Sequence, residues 1–260
     1  MRVMKIPVIY AYPRSGGTLV NRCLGSISGN LILSEVNPLA SVVSIAEQAN
    51  NWLNLLSDEQ LEEFVDQPYG EQIYFLITQA KASNHHLIIR DWTAVNFMDD
   101  PSNNQILTPS FILEQDLYLA HYGLISLPIV IVRRSADVYD SINRTFPHLN
   151  RGIEVFGEAY LKYAQRVCYY PIFHYEQICQ DPITQISLIC ETLEINYEPN
   201  FINKFYDFDK CTGDNNLEQS SRGGKLKEIK LLSSNLESQD YKIANNDENC
   251  QQADKLLGYE

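Results

Sequence analysis

Residues 8 to 24, VIYAYPRSGGTLVNRCL, constrain this chain more than any other stretch. An apolar run ends at Pro13, a turn rich in Ser and Gly follows, and a helical pattern begins at Thr18. Strand, tight turn and helix in this order leave the first helical N–H groups without intrahelical partners. They point, with the positive end of the helix dipole, into one concavity. Gly16 and Gly17 let the backbone approach a bound anion closely, Arg14 adds a cation, and Ser15 and Thr18 add hydroxyl donors. The stretch reads as a phosphate-binding loop. It is not a Walker A sequence, which ends in Gly-Lys-Ser/Thr, because Gly17 runs straight into Thr18. Phosphate is gripped here without the lysine of an ordinary ATPase.

The rest of the chain repeats the alternation of strand and helix. Apolar, β-branched runs at 6–12, 86–91 and 127–134 read as buried parallel strands, 169–176 has the same character, and 31–35 reads as a shorter strand. Helical patterns fill 18–27 and 38–53, and 57–83 holds two more. This order predicts an α/β layered fold with a central parallel sheet, in one domain spanning residues 1–260. Residues 101–109 read as an exposed loop, and 207–250 as a long, polar, turn-rich segment of the kind that forms lids and binding loops. Helical periodicity resumes in ENCQQADKLLGYE and stops at Gly258.

Composition narrows the partners. A formal net charge of −13 argues against sequence-independent nucleic-acid binding, so anions must be held by a local basic pocket within an acidic field. The six cysteines show no paired spacing and read as free thiols of a reducing compartment. The five histidines are scattered and no carboxylate cluster is spaced for a metal, so no metal site is expected. No targeting segment and no apolar run of about 20 residues is visible, which predicts a cytoplasmic protein without a membrane span.

Two further stretches carry candidate chemistry. In IVIVRRSADVYDSINR (129–144) a buried strand ends in Arg133-Arg134 and a helix brings Ser141 to the same βα junction, which suits a second, terminal phosphate. The alternative is an ion pair of either arginine with Asp137 or Asp140. In FHYEQICQDP (173–182) Tyr175 stands at a strand end, where core packing is the commoner role.

The order PRSGGT, RRSADVYDS, HYEQICQDP resembles the sulfotransferases that use 3′-phosphoadenosine 5′-phosphosulfate (PAPS), and so does the ending LLGYE. The eight-residue spacing from Arg133 to Ser141 is also that of the family. The resemblance implies the P-loop NTPase-like sulfotransferase fold, a three-layer α/β/α sandwich. It implies that Arg14, Ser15, Gly16, Gly17, Thr18 and Leu19 bind the 5′-phosphosulfate, that Arg133 and Ser141 bind the 3′-phosphate, and that Tyr175 closes the nucleotide site. Arg222 and Gly223, in SSRGGK (220–225), resemble an Arg-Gly element that folds over the 3′-phosphate; a solvated loop is the alternative.

Motif spacing is most similar to the tyrosylprotein and related Golgi-type branch, in a bacterial-type soluble form. There a glutamate 21 positions after the loop arginine acts as general base, which is Glu35 here. A strand-end cation of that branch corresponds to Arg90 of RDWT, with an ion pair to Asp91 or Asp99 as the alternative reading. Asp91 is the second candidate base. Two departures stand out: Gly17 replaces the first of two threonines, and Arg90-Asp91-Trp92 stands where the small-molecule branch has Lys-Thr-His. The implied reaction is transfer of a sulfuryl group from PAPS to a hydroxyl of a small molecule or saccharide, leaving 3′-phosphoadenosine 5′-phosphate (PAP). Arg14 meets charge on the departing phosphate oxygen and Arg90 the sulfuryl oxygens. A P-loop kinase or NTPase, or a nucleotide-binding module without catalysis, are the competing functions.

Overall fold

The computed structural model describes residues 4–97, 113–213 and 228–259, apart from the side chain of residue 149. The first strand, β1 (Met4–Ala11), is apolar and buried on both faces from Ile6 to Tyr10, as expected of a central parallel strand. The turn at residues 12–16 leads into α1 (Gly17–Gly25), β2 (Asn30–Asn37) and a short antiparallel β3 (Ala40–Ser41). After α2 (Ile45–Glu47), which continues as a wider turn over Gln48–Trp52, come α3 (Asp58–Val65), α4 (Tyr69–Ala82) and β4 (His86–Asp91). The second half runs α5 (Glu114–His121), β5 (Leu124–Val132), α6 (Ser135–Thr145), α7 (Ile153–Val167) and β6 (Ile172–His174). It closes with α8 (Tyr175–Gln180), α9 (Pro182–Thr192), α10 (Gln239–Asn246) and α11 (Glu248–Leu256).

The six strands form one sheet in the order β3-β2-β4-β1-β5-β6, parallel except for the β2–β3 pairing. Strand alternation divides the core in two. Ile9, Ile32, Ile88 and Ile129 face α1 and α9, whereas Val8, Leu33, Ile89 and Val130 face α4 and α7. Helices therefore cover both faces, the α/β/α layering the sequence predicts. Crossovers on both sides of β1 open a crevice at the carboxyl ends of β1, β4 and β5, the position at which such sheets bind ligands.

Three expectations need correction. The helix predicted over 38–53 begins only at Ile45. Before it, Asn37 Oδ1 accepts the Leu39 N–H at 3.0 Å, and the turn carrying Pro38 folds β3 back on β2. Asn-Pro turn chemistry overrides a helical pattern that is real only from the Ser44 cap onward, where Ser44 Oγ accepts the Glu47 N–H. The polar segment 207–250 is not irregular to its end: α10 starts at Gln239, capped by Ser238. Tyr175 opens α8 rather than ending a strand, since β6 is only three residues long. The loop expected at 101–109 lies outside the described residues.

Candidate active site

The candidate phosphate loop is held in a tight turn by the Ser15 N–H on Tyr12 O at 3.1 Å. Arg14 (φ 70°) and Gly16 (φ 99°) both occupy the left-handed region. That costs a non-glycine residue such as Arg14 roughly 1–2 kcal/mol, so the surrounding packing dictates the turn. A Cβ on Gly16 would lie 2.6 Å from the Tyr175 ring, and one on Gly17 would meet Ala11 at 3.0 Å and Arg90 Nε at 3.4 Å. Both glycines are therefore places where a side chain of another element closes on the loop. The helix bond from Val20 N–H to Gly16 O leaves the preceding amides of α1 turned to the crevice. Ser15 Oγ is buried with no partner among the described residues, as a donor reserved for a ligand would be.

On one side of the loop stand the arginines of the β5–α6 junction. Arg14 Nε donates to Ser141 Oγ at 2.9 Å and its guanidinium lies 5.8 Å from the Phe146 ring, which ties the loop to α6. Arg133 stacks on Tyr175 at 4.8 Å, and its nearest carboxylate, Asp137, is 3.7 Å away. Asp137 is shared with Ser234, whose hydroxyl donates to Oδ2 at 2.9 Å. Burial raises the Asp137 carboxyl, and Arg133 offsets part of that rise. The Arg133 Nε is buried without a partner among the described residues. Arg14, Ser141, Arg133, Tyr175 and Gly16 are thus brought together. Arg134 turns outward instead, over the Tyr259 ring at 5.1 Å. Tyr259 donates to Glu176 at 2.8 Å, and Asp254 accepts both the N–H and the hydroxyl of Ser135. Asp254 and Tyr259 thereby brace the two elements that carry Arg133 and Tyr175.

On the other side stand Glu35 and Arg90, joined by an ion pair of 2.5 Å in which Arg90 is almost fully buried. The Glu35 placement comes from a β-bulge. Ser34 pairs with Arg90 and Val36 with Asp91, which leaves Glu35 as the extra residue at φ 52°. In a regular strand Glu35 would share the face of Leu33; the bulge keeps it beside Ser34, on the face of Arg90. Arg90 Nη1 further donates to Ser34 Oγ at 3.1 Å and Thr212 O at 3.3 Å. Asp91 is not the partner in that pair, and Asp99 lies outside the described residues.

Asp91 faces the opposite side of the sheet. Its Oδ2 accepts from Asn37 at 2.7 Å, and burial pushes its carboxyl up to about 7. The Leu19 side chain is packed in the core, so only its backbone can serve a nucleotide. Thr18 lies against Gly213, and Arg222 and Gly223 lie outside the described residues. Sequence reasoning missed Ser34 and Thr212. The β2 motif LILSE contains Ser34 beside the candidate base, but nothing in the sequence announces a partner 178 residues away.

Among the described residues, no group of three His, Cys, Asp or Glu side chains is placed to hold a metal, none of the six cysteines forms a disulfide, and no helix is long and apolar enough to cross a membrane. No protein-family description matches the chain, and no curated protein matches its sequence. Solved structures do match. The sulfotransferase domain of the Synechococcus PCC 7002 olefin synthase superposes with a TM-score of 0.62 at 17% identity, covering 98% of this chain and 95% of that one. The sulfotransferase domain from the curacin biosynthetic pathway gives 0.59 at 17% identity, covering 100% and 99%. The chain therefore has the sulfotransferase fold.

Proposed function

We propose that this protein is a PAPS-dependent sulfotransferase acting on a hydroxyl of a small-molecule or saccharide acceptor, as a single soluble, cytoplasmic domain. The observation that carries the reading is that two separate cationic sets flank one phosphate loop. Arg14, Arg133 and Ser141 lie on the Gly16 side, and Arg90 with Glu35 on the Gly17 side. Arg133 and Ser141 suit a 3′-phosphate, Arg14 and the loop amides with Ser15 and Thr18 a 5′-phosphate, and Arg90 a sulfuryl group beyond it. The Tyr175 ring, stacked by Arg133 and seated on Gly16, closes the nucleotide end.

PAPS supplies an activated sulfuryl group on a good leaving phosphate. Glu35 accepts the proton of the acceptor hydroxyl as the new O–S bond forms and the bond to the bridging phosphate oxygen breaks. Arg90 orients Glu35 through their ion pair and holds negative charge on the sulfuryl oxygens. Arg14 and the α1 amides meet the charge that returns to the departing phosphate. Asp91, behind the strand and bonded to Asn37, takes no part. The test is thermal stabilisation by PAP, ADP with Mg²⁺ and GTP with Mg²⁺. Stabilisation by PAP well beyond the other two supports the reading; stabilisation by ADP or GTP without PAP would establish a kinase or NTPase instead.

A further inference from the structure

The Cys211–Gly213 turn crosses the site from outside the motifs that define it. Its contacts can be resolved proton by proton. A serine hydroxyl has two acceptor lone pairs and one proton. Ser34 Oγ receives Arg90 Nη1 at 3.1 Å and the Thr212 N–H at 3.0 Å, which fills both lone pairs. Its own proton must then go to Thr212 Oγ1, 2.9 Å away. Arg90 Nη1 also reaches Thr212 O at 3.3 Å and Asn21 Oδ1 at 3.5 Å, so that nitrogen is fully engaged. Nη2 has one bond, to Glu35, and Nε lies beside Gly17 at the mouth of the loop. The guanidinium is therefore anchored at one corner and presents its Nε–Nη2 edge, the fork that grips an oxyanion in two bonds.

The turn is built for this closeness. Gly213 (φ 95°) lies so near Thr18 that a Cβ there would collide with the Thr18 hydroxyl. Cys211, fully buried, takes a hydrogen bond from Arg22 of α1, while Ser34 and Thr212 are buried as well. A buried hydroxyl paired as completely as that of Ser34 fixes a geometry, because any rearrangement leaves one of its bonds unmade.

We propose that Thr212 and Ser34 are positioning residues, which hold Arg90 with its Nε–Nη2 edge, shared with Glu35, toward the sulfuryl group of PAPS. The inference rests on the transferase reading above. PAPS and PAP differ by that sulfuryl group alone, so affinities for the two separate this role from a merely structural one and need no acceptor. Calorimetric binding of each is compared for the wild type, Thr212→Val, Thr212→Ser and Ser34→Ala. Thr212→Val keeps the backbone bonds but leaves the Ser34 proton unpaired. Affinity for PAPS is expected to fall about tenfold while that for PAP is unchanged, with Thr212→Ser restoring PAPS binding. Ser34→Ala shows the same selective loss, and serves as the comparison if Thr212→Val does not fold. Equal losses for the two ligands, or no loss for either, overturn the proposal. A wild-type protein that binds neither ligand refutes the transferase reading itself, and this inference with it.

Discussion

Replacing Asp91 by Asn gives a stability change whose pH dependence can be worked out in advance. The Asp91 carboxyl is pushed from an ordinary 3.8 up to about 7, mainly by burial; bonds from Asn37 and Thr93 oppose the rise and nearby Asp116 adds to it. The native protein keeps this proton to about pH 7, whereas the unfolded chain loses it near 3.8. Between those values the native state binds more protons than the unfolded state, so stability falls as pH rises through the window. The full cost is on the order of 4 kcal/mol once the carboxyl is ionised, accumulating at about 1.4 kcal/mol per pH unit. Asp91→Asn removes that dependence. Whatever the amide gains or loses in packing is constant with pH, so the informative quantity is the difference between variant and wild type. Urea unfolding followed by tryptophan fluorescence, from about pH 5 to about pH 8, should show the variant gaining on the wild type up to about pH 7 and then levelling. Parallel curves would refute the reasoning, because Asp91 would then ionise in the ordinary carboxylate range in the native protein as well.

Two other substitutions probe the nucleotide side. Gly16→Ala combines left-handed backbone strain of roughly 1–2 kcal/mol with displacement of the Tyr175 ring, so calorimetry should find PAP affinity lost; unchanged affinity would show that Tyr175 does not close on the loop. Ser141→Ala removes the hydroxyl that Arg14 bonds, and should weaken PAP about tenfold while leaving ADP unchanged. Equal weakening of both would place Ser141 away from the 3′-phosphate.

The parts of the site that were legible in the sequence are those built from neighbouring residues. Arg14 to Thr18 form one turn, and Arg133 and Ser141 share one βα unit, so strand and helix periodicity alone brings each set together. The opposite facing of Arg90 and Asp91 follows from strand alternation. Glu35 is reachable only through the family resemblance and the spacing from Arg14 that it implies, because the bulge that turns it toward Arg90 is a property of the β2–β4 register. Thr212 was unreachable: its hydrogen bonds to Ser34 span 178 residues and depend on tertiary placement. Among the helices, α10 went unseen because QDYKIANN is polar and buries chiefly Ala244, leaving little apolar periodicity to read. The error at 38–44 has the opposite cause, a helical pattern extended backward across an Asn-Pro turn.

Transfer itself is tested most directly by incubating the protein with PAPS labelled in its sulfuryl group and an extract of candidate hydroxyl acceptors, with products followed by mass spectrometry. The wild type should convert PAPS to PAP and place the label on the hydroxyl oxygen of an acceptor. Glu35→Gln should slow that product by about 10²–10⁴-fold while still binding PAP. Label recovered only as inorganic sulfate, or a labelled product formed equally fast by Glu35→Gln, would contradict the assignment of this site to sulfuryl transfer with Glu35 as its base.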